Sequence, residues 1–478
     1  MKNPGADPET GREVLKAFLV EKSPLGPLRV MARRVGRFFQ IPLPFFSPYI
    51  VFGPEAVRKV LVTEREKFLW RNHDPVADLL NRGVLVTDGE EHDQYRKLME
   101  PALRPGQLPQ YADMMRKQTE RVSAVWQDGQ VVDMLVEARK IALLIIIQAL
   151  FSRDAWNDLE RIWTPILKAI EYISPGAWIL WRNIPRPGYK KHLKVLDAYL
   201  YEIIAARRTA ITNHQLPIPD DLLQHLIDAG LPDERIRDQM LTMLIAGHDT
   251  STALLAWVFA MLGQHPETYT ALQRQLAETP PDKTPPLLDQ VIKETLRLYP
   301  PIHIGNRIMA QDVTFGEGQT IPAGARMFYS IYLTHRDPAI WENPDSFCPE
   351  RFAHGRTSQK GAGMAYVPFG GGPRACIGAA FGQMEARIVL RYLLENFDFI
   401  PVFSVSSSPS KSVSPSASSL GVSHPLSAPF PPLPPSVSES ASPLGVSHPL
   451  PALLPHMGAT LEPRPGVFMR VTRRNLKS

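Results

Sequence analysis

Phe369-Gly370-Gly371-Gly372-Pro373-Arg374-Ala375-Cys376-Ile377-Gly378 sets a lone thiol just after a run of three glycines. From Ile377 to Leu394 the residues suit a helix, with Ile377, Phe381, Met384, Ile388 and Tyr392 recurring on one side. Cys376 is therefore expected at a helix N-terminus. Free amide N–H groups and the positive end of the helix dipole favour an anion there, which predicts ready ionisation of the thiol. A thiolate is a soft metal ligand. The glycines permit a tight, positive-φ turn that lets backbone and sulfur approach a flat ligand, with Phe369 covering the sulfur and Arg374 meeting a carboxylate.

A buried cysteine beside a surface turn would account for an isolated Gly-Cys pair, but not for the whole pattern. Phe-x-x-Gly-x-Arg-x-Cys-x-Gly resembles the haem-binding signature of the cytochrome P-450 family, matched here at Phe369, Gly372, Arg374, Cys376 and Gly378. The resemblance implies haem b (iron protoporphyrin IX) bound beside Phe369 and Gly378. Cys376 would be its proximal iron ligand, a thiolate that favours O–O cleavage, and Arg374 the partner of a haem propionate.

Composition leaves room for that reading and removes others. A chain of 478 residues, 44% hydrophobic, can bury a large core. A net charge of +5, dispersed along the chain, gives no footprint for nucleic acid. The two cysteines, Cys348 and Cys376, make neither a disulfide framework nor a four-thiolate site and fit a reducing, cytoplasmic compartment. The first forty residues lack a signal-peptide pattern, and the apolar runs 253–262 and 141–147 are too short to span a bilayer, so both read as buried helices. The chain thus looks like a soluble member of the family, without a transmembrane anchor or fused reductase, and a monomer is expected.

Outward from the cysteine, residues 13–39 suggest helical segments broken at Pro24 and Pro27, residues 49–52 a short strand, and residues 54–68 a helix. The next helix opens at Glu90, where His92 and Arg96 fall one turn apart on one face and together suit an anion. The family resemblance makes both of them haem-propionate contacts. An aromatic-rich break at Pro175–Trp181 suggests either an apolar surface patch, for substrate entry or peripheral membrane contact, or an internal packing segment.

A long helix is predicted over about 233–263, with Met243, Ala246, Gly247, Thr250, Leu254 and Trp257 sharing a face. Gly247-His248-Asp249-Thr250-Ser251 interrupts it with a glycine and polar groups that a core helix does not need, as if for function. Ala246-Gly247-x-Asp249-Thr250-Ser251 resembles the family's oxygen-activation motif. Ala246 and Gly247 would then leave room beside the iron, while Thr250 and Asp249 organise waters for proton delivery. The plain alternative has Thr250 bonded back to the Ala246 carbonyl and Asp249 facing solvent.

Glu294 and Arg297 lie at i,i+3 before Leu298-Tyr299-Pro300, and Pro349-Glu350-Arg351-Phe352 follows later. The same arrangement in the family implies a structural Glu294–Arg297–Arg351 network that locks the segment presenting Cys376. Between the two, Arg307 resembles another propionate contact. Ile302, His303 and Ile304, with Met243, Ala246 and Leu254, would line the substrate side.

After residue 403 the chain becomes Ser- and Pro-rich to about residue 455, with Leu-Gly-Val-Ser-His-Pro-Leu at 420–426 repeated at 444–450. Such a segment buries too little apolar surface to order itself. It is read as a low-complexity insertion at 404–455 in a catalytic domain made of 1–403 plus 456–478. The fold expected is mainly α with small β-sheets, the haem lying between the long central helix (about 233–263) and the cysteine loop and helix (369–394).

The activity implied is a monooxygenase that hydroxylates or epoxidises a small apolar substrate, fatty acid or terpenoid-like, with dioxygen. Electrons would come from a ferredoxin or flavodoxin-type donor and its reductase. Two rivals stand beside it: an electron-independent isomerase or peroxygenase of oxygenated lipids, and a haem-binding sensor or carrier without turnover. The Asp249-Thr250 pair argues against both.

Overall fold

The computed structural model describes residues 7–41, 46–70, 75–175, 188–316, 318–353, 363–402 and 453–474. Two helices form the centre. Met134–Phe151 is apolar on nearly every side and Asp233–Gln264 over much of its second half, and both are surrounded by protein, as helices with so little polar face must be. Asp233–Gln264 is the one described helix long and apolar enough to cross a membrane, and most of that stretch is buried inside the fold.

Pro109–Ser123, Lys190–Thr212, Pro286–Leu298 and Ala379–Asn396 pack around this pair, and Leu159–Ile173 packs on Lys190–Thr212. The sheets are small and lie at the periphery. One has five strands in the order Phe38–Gln40, Tyr49–Val51, Arg326–Ser330, Ile304–Met309 and Phe68–Leu69. Its single parallel pair joins Tyr49–Val51 to Arg326–Ser330. Another puts Phe468–Arg473 between Val131–Asp133 and Phe397–Pro401, all antiparallel. Leu454–Met457 and Leu461–Arg464 form a separate hairpin. The architecture is the mainly helical fold with small sheets that the sequence predicts.

Local expectations fared unevenly. Pro27 does not break the second helix, Leu25–Val35, because it sits in the first turn, where the missing N–H has no partner to lose. The helix expected over 54–68 is three pieces: an α-turn at Pro54–Arg58, a π-turn at Lys59–Thr63 and a 3-10 turn at Arg65–Lys67, with Phe68 already in a strand. Pairing of Phe68 with Met309 outweighs its helical spacing. The patch at 176–181 and most of the Ser/Pro tract, residues 403–452, lie outside the described residues. The tract's expected end at residue 455 is two residues too late, since the hairpin strand begins at Leu454.

Candidate functional site: a thiol-floored cavity

A cavity of about 1650 Å³ runs along the face of the central helix that carries Met243, Ala246, Gly247, Thr250 and Leu254. Ordinary small-molecule sites occupy about 300–1,000 Å³, so this one has space for a large prosthetic group and a second molecule. The residues expected at haem and substrate are all in its wall: His92, Arg96, Ala246, Gly247, Arg307, Phe369, Arg374, Cys376 and Gly378, with Ile302, His303 and Ile304.

The cysteine loop departs from expectation in its details. Its helix starts at Ala379, not at Ile377, so Cys376 precedes the first turn. Two glycines have positive φ, Gly370 at 71° and Gly372 at 64°. A Cβ on Gly372 would come 2.2 Å from the Leu61 carbonyl oxygen, so this loop passes where only glycine fits. The Cys376 N–H donates to the Phe369 carbonyl at 2.8 Å and closes the loop.

The thiol opens into the cavity but is enclosed by protein on its other sides. That burial pushes its pKa up, against the expected ready ionisation, while the Gly378 N–H and the Arg96 guanidinium pull it down. Desolvation outweighs the helix end here.

Positive charge collects around the same loop. Arg96 donates to the Ala375 carbonyl at 2.6 Å, and Arg374 reaches Asp88 at 2.7 Å and the Thr87 carbonyl. Arg307 donates to the Asn306 carbonyl and lies 5.0 Å from the Trp70 ring. No carboxylate among the described residues pairs with Arg96 or Arg307. Burial, then Arg374 and Arg96, depress the His92 pKa, its Asp93 partner at 2.8 Å opposing them, and burial with Arg307 depresses that of Arg374 despite Asp88. Four cationic or basic groups thus crowd one wall with too little negative charge to satisfy them.

These features fit a haem. Among the described residues no group of three or more His, Cys, Asp or Glu could hold a bare metal ion. A single thiol therefore suits a metal whose other ligands arrive with it, and the surplus of cations suits the two carboxylates of a porphyrin.

The central helix is continuous through Gly247–Ser251, where an interruption was expected. Thr250 Oγ1 donates to the Ala246 carbonyl at 2.8 Å, the plain alternative for that residue, while still lining the cavity. Asp249 does not face solvent. It is buried, accepts from Thr460 Oγ1 at 2.8 Å and lies 3.7 Å from Arg139, which also pairs with Glu462. Burial and Glu462 push its pKa up to about 6, in spite of Arg139 and Thr460. Gly247 has a packing role as well, since a Cβ there would meet Ile146 of the neighbouring helix at 2.8 Å.

Glu294, Arg297 and Arg351 lie together. Arg297 makes a two-bond pair with Glu294, 2.8 and 2.9 Å, both fully buried, and also donates to the carbonyls of His335, Pro344 and Ser346. Arg351 donates to the same carboxylate at 3.0 Å, and the Cys348 N–H also donates to it at 2.9 Å.

Sequence reasoning missed Glu385. It lines the cavity, accepts from Ser251 Oγ at 2.6 Å, and burial pushes its pKa up to about 8. Its one visible signal is position, four residues after Phe381 on a helix face that is otherwise apolar. Arg139, Thr460 and Glu462 carried no local signal.

Comparison with known proteins agrees with this geometry. The family model described as Cytochrome P450 matches residues 10–419. The chain is 29% identical to pentalenene oxygenase of Streptomyces avermitilis, over 82% of this chain and 90% of that one. It is 28% identical to cyclooctat-9-en-7-ol 5-monooxygenase of Streptomyces melanosporofaciens, over 74% and 80% respectively. Among solved structures, cyanobacterial CYP120A1 bound to retinoic acid superposes with a TM-score of 0.71 at 25% identity, over 81% of this chain and 90% of that one. The chain belongs to the cytochrome P450 family and is a monooxygenase of that family.

Proposed function

We propose that this monooxygenase hydroxylates or epoxidises a terpenoid-like apolar substrate, using haem b and electrons from a ferredoxin or flavodoxin-type donor with its reductase. One observation carries the reading: a single cavity is lined at once by the Cys376 thiol, by His92, Arg96, Arg307 and Arg374, and by Asp249 and Thr250. The terpenoid class is supported by the names of the two Streptomyces relatives and by the apolar wall of Met243, Leu254, Ile302 and Ile304. Both cysteines are free, in keeping with a cytoplasmic protein.

Haem, when bound, supplies dioxygen activation and the electron sink. The chain supplies the rest. Cys376 would hold the metal, and Arg96, Arg307 and Arg374, with His92 as a hydrogen-bonding partner, would orient the porphyrin by its carboxylates. The apolar wall excludes water from the substrate side. Thr250 offers a hydroxyl at the cavity surface, and Asp249 behind it can take a proton from one side and return it on the other.

The test is product formed per electron donor oxidised, in wild type and Thr250→Ala, with a terpene that perturbs the haem spectrum. Thr250→Ala should bind haem and substrate normally yet release most reducing equivalents as hydrogen peroxide, because the cavity has lost its positioned hydroxyl. Equal coupling in the two proteins would remove Thr250 from the mechanism. Product formed without any donor would point instead to the electron-independent class.

A further inference from the structure

The C-terminal hairpin, Leu454–Met457 with Leu461–Arg464, is fastened to the central helix and to the segments around Pro301 and Ser174. The Trp257 indole N–H donates to the Leu461 carbonyl at 2.8 Å, and the Leu461 N–H donates to the Pro301 carbonyl at 3.0 Å. At the turn, the Ala459 N–H donates to Ser174 Oγ at 2.9 Å. This anchoring sets the Thr460 hydroxyl on Asp249 and the Glu462 carboxylate on Arg139.

Arg139 thus stands between two carboxylates and contacts them unequally. It is in direct contact with Glu462, whereas Asp249 Oδ1 is 3.7 Å away and has no hydrogen-bond partner among the described residues. Arg139 Nε and both ring nitrogens of the neighbouring His248 are likewise buried and without a hydrogen-bond partner among those residues. Among the described residues, the charged and titratable groups facing Asp249 are Arg139 from the Met134–Phe151 helix and Glu462 from the hairpin. His248 is next to it on its own helix and faces Arg139. Across the hairpin, His456 is paired with Glu462 and feels Arg464.

We propose that Thr460 and Glu462 are positioning residues for Asp249: Thr460 holds one carboxyl oxygen by a hydrogen bond, and Glu462 occupies the Arg139 guanidinium that would otherwise pair with the other. The inference rests on the proton-delivery role given to Asp249 above. A carboxylate locked to a buried guanidinium stays ionised and has no proton to give. By drawing Arg139 to itself, Glu462 keeps Asp249 able to exchange its proton near neutral pH, consistent with its pKa of about 6.

The test is an infrared titration of the protonated-carboxyl band in the purified ferric holoenzyme, assigned by its loss in Asp249→Asn. Glu462→Gln should move the midpoint down by about 1–3 pH units, the usual effect of an opposite charge at contact. Arg139→Gln should move it up. The rate–pH profile of Glu462→Gln should shift to acid by the same interval, with more hydrogen peroxide per donor oxidised at neutral pH. A midpoint in Glu462→Gln equal to wild type overturns the proposal, as do shifts of the same sign in both variants. Should Glu462→Gln fail to take up haem, Arg139→Gln decides alone, since its midpoint must rise. An unmoved band beside a slow Asp249→Asn ends only this proposal. Full rate and coupling in Asp249→Asn would end the role of Asp249 itself.

Discussion

Cys376 and Glu385 show what a single side chain contributes here. Cys376 is the one cysteine that opens on the cavity, Cys348 lying beside the Glu294 carboxylate. Cys376→Ser should abolish the red-shifted Soret band that a thiolate ligand gives the reduced carbon monoxide complex, while Cys348→Ser keeps it. The reverse outcome would mean the ligand is misassigned. Glu385 makes a prediction with a sign. Burial raises its pKa from about 4.5 to about 8, so between those values the folded protein keeps a proton that the unfolded chain has lost. Stability contributed below pH 4.5 is then lost as pH rises to about 8, at about 1.4 kcal/mol per unit. Glu385→Gln keeps a partner for Ser251 and should flatten this decline, measured as the urea midpoint against pH. Parallel curves for the two proteins would show that Glu385 carries no such proton.

Elements place these side chains, and the Pro286–Leu298 helix has the most to hold. Arg297 spends its Nε and both terminal nitrogens on Glu294 and three backbone carbonyls, including Ser346 in the segment that leads to Cys348. A lysine cannot make that fork of donors. Arg297→Lys should therefore leave buried carbonyls and part of the Glu294 carboxylate unsatisfied, at a cost of about 3–5 kcal/mol. Haem content after purification and urea unfolding would report it, and wild-type values for both would reduce the network to a surface-like pair. The spacing of Glu294 and Arg297 is visible in the sequence, but the three carbonyls are not, because they come from residues 335–346, 38 to 49 positions after Arg297.

At the scale of the molecule, the Ser/Pro tract and the cavity raise different questions. The strands on both sides of the tract, Phe397–Pro401 and Leu454–Met457, pair within the fold. Joining Val402 to Leu453 through a short Gly/Ser linker should then preserve haem incorporation and the carbon monoxide spectrum. Loss of haem in that variant would make the tract part of the fold. An altered substrate range alone would not, because His456, Met457 and Ala459 line the cavity next to the junction.

The sequence by itself determined the family, the thiol, the central helix and the cationic candidates. Those signals are local: a ten-residue loop whose glycines the backbone requires, a helical period, and pairs one turn apart. Tertiary structure alone decided the state of the groups. Cys376 is opposed by burial that its helix end does not overcome, and Thr250 is turned to the Ala246 carbonyl. Asp249 answers to Arg139, Thr460 and Glu462, the last two more than two hundred residues away. Ionisation and hydrogen bonding depend on which charges and surfaces come within a few ångströms, and distant segments of chain supply those.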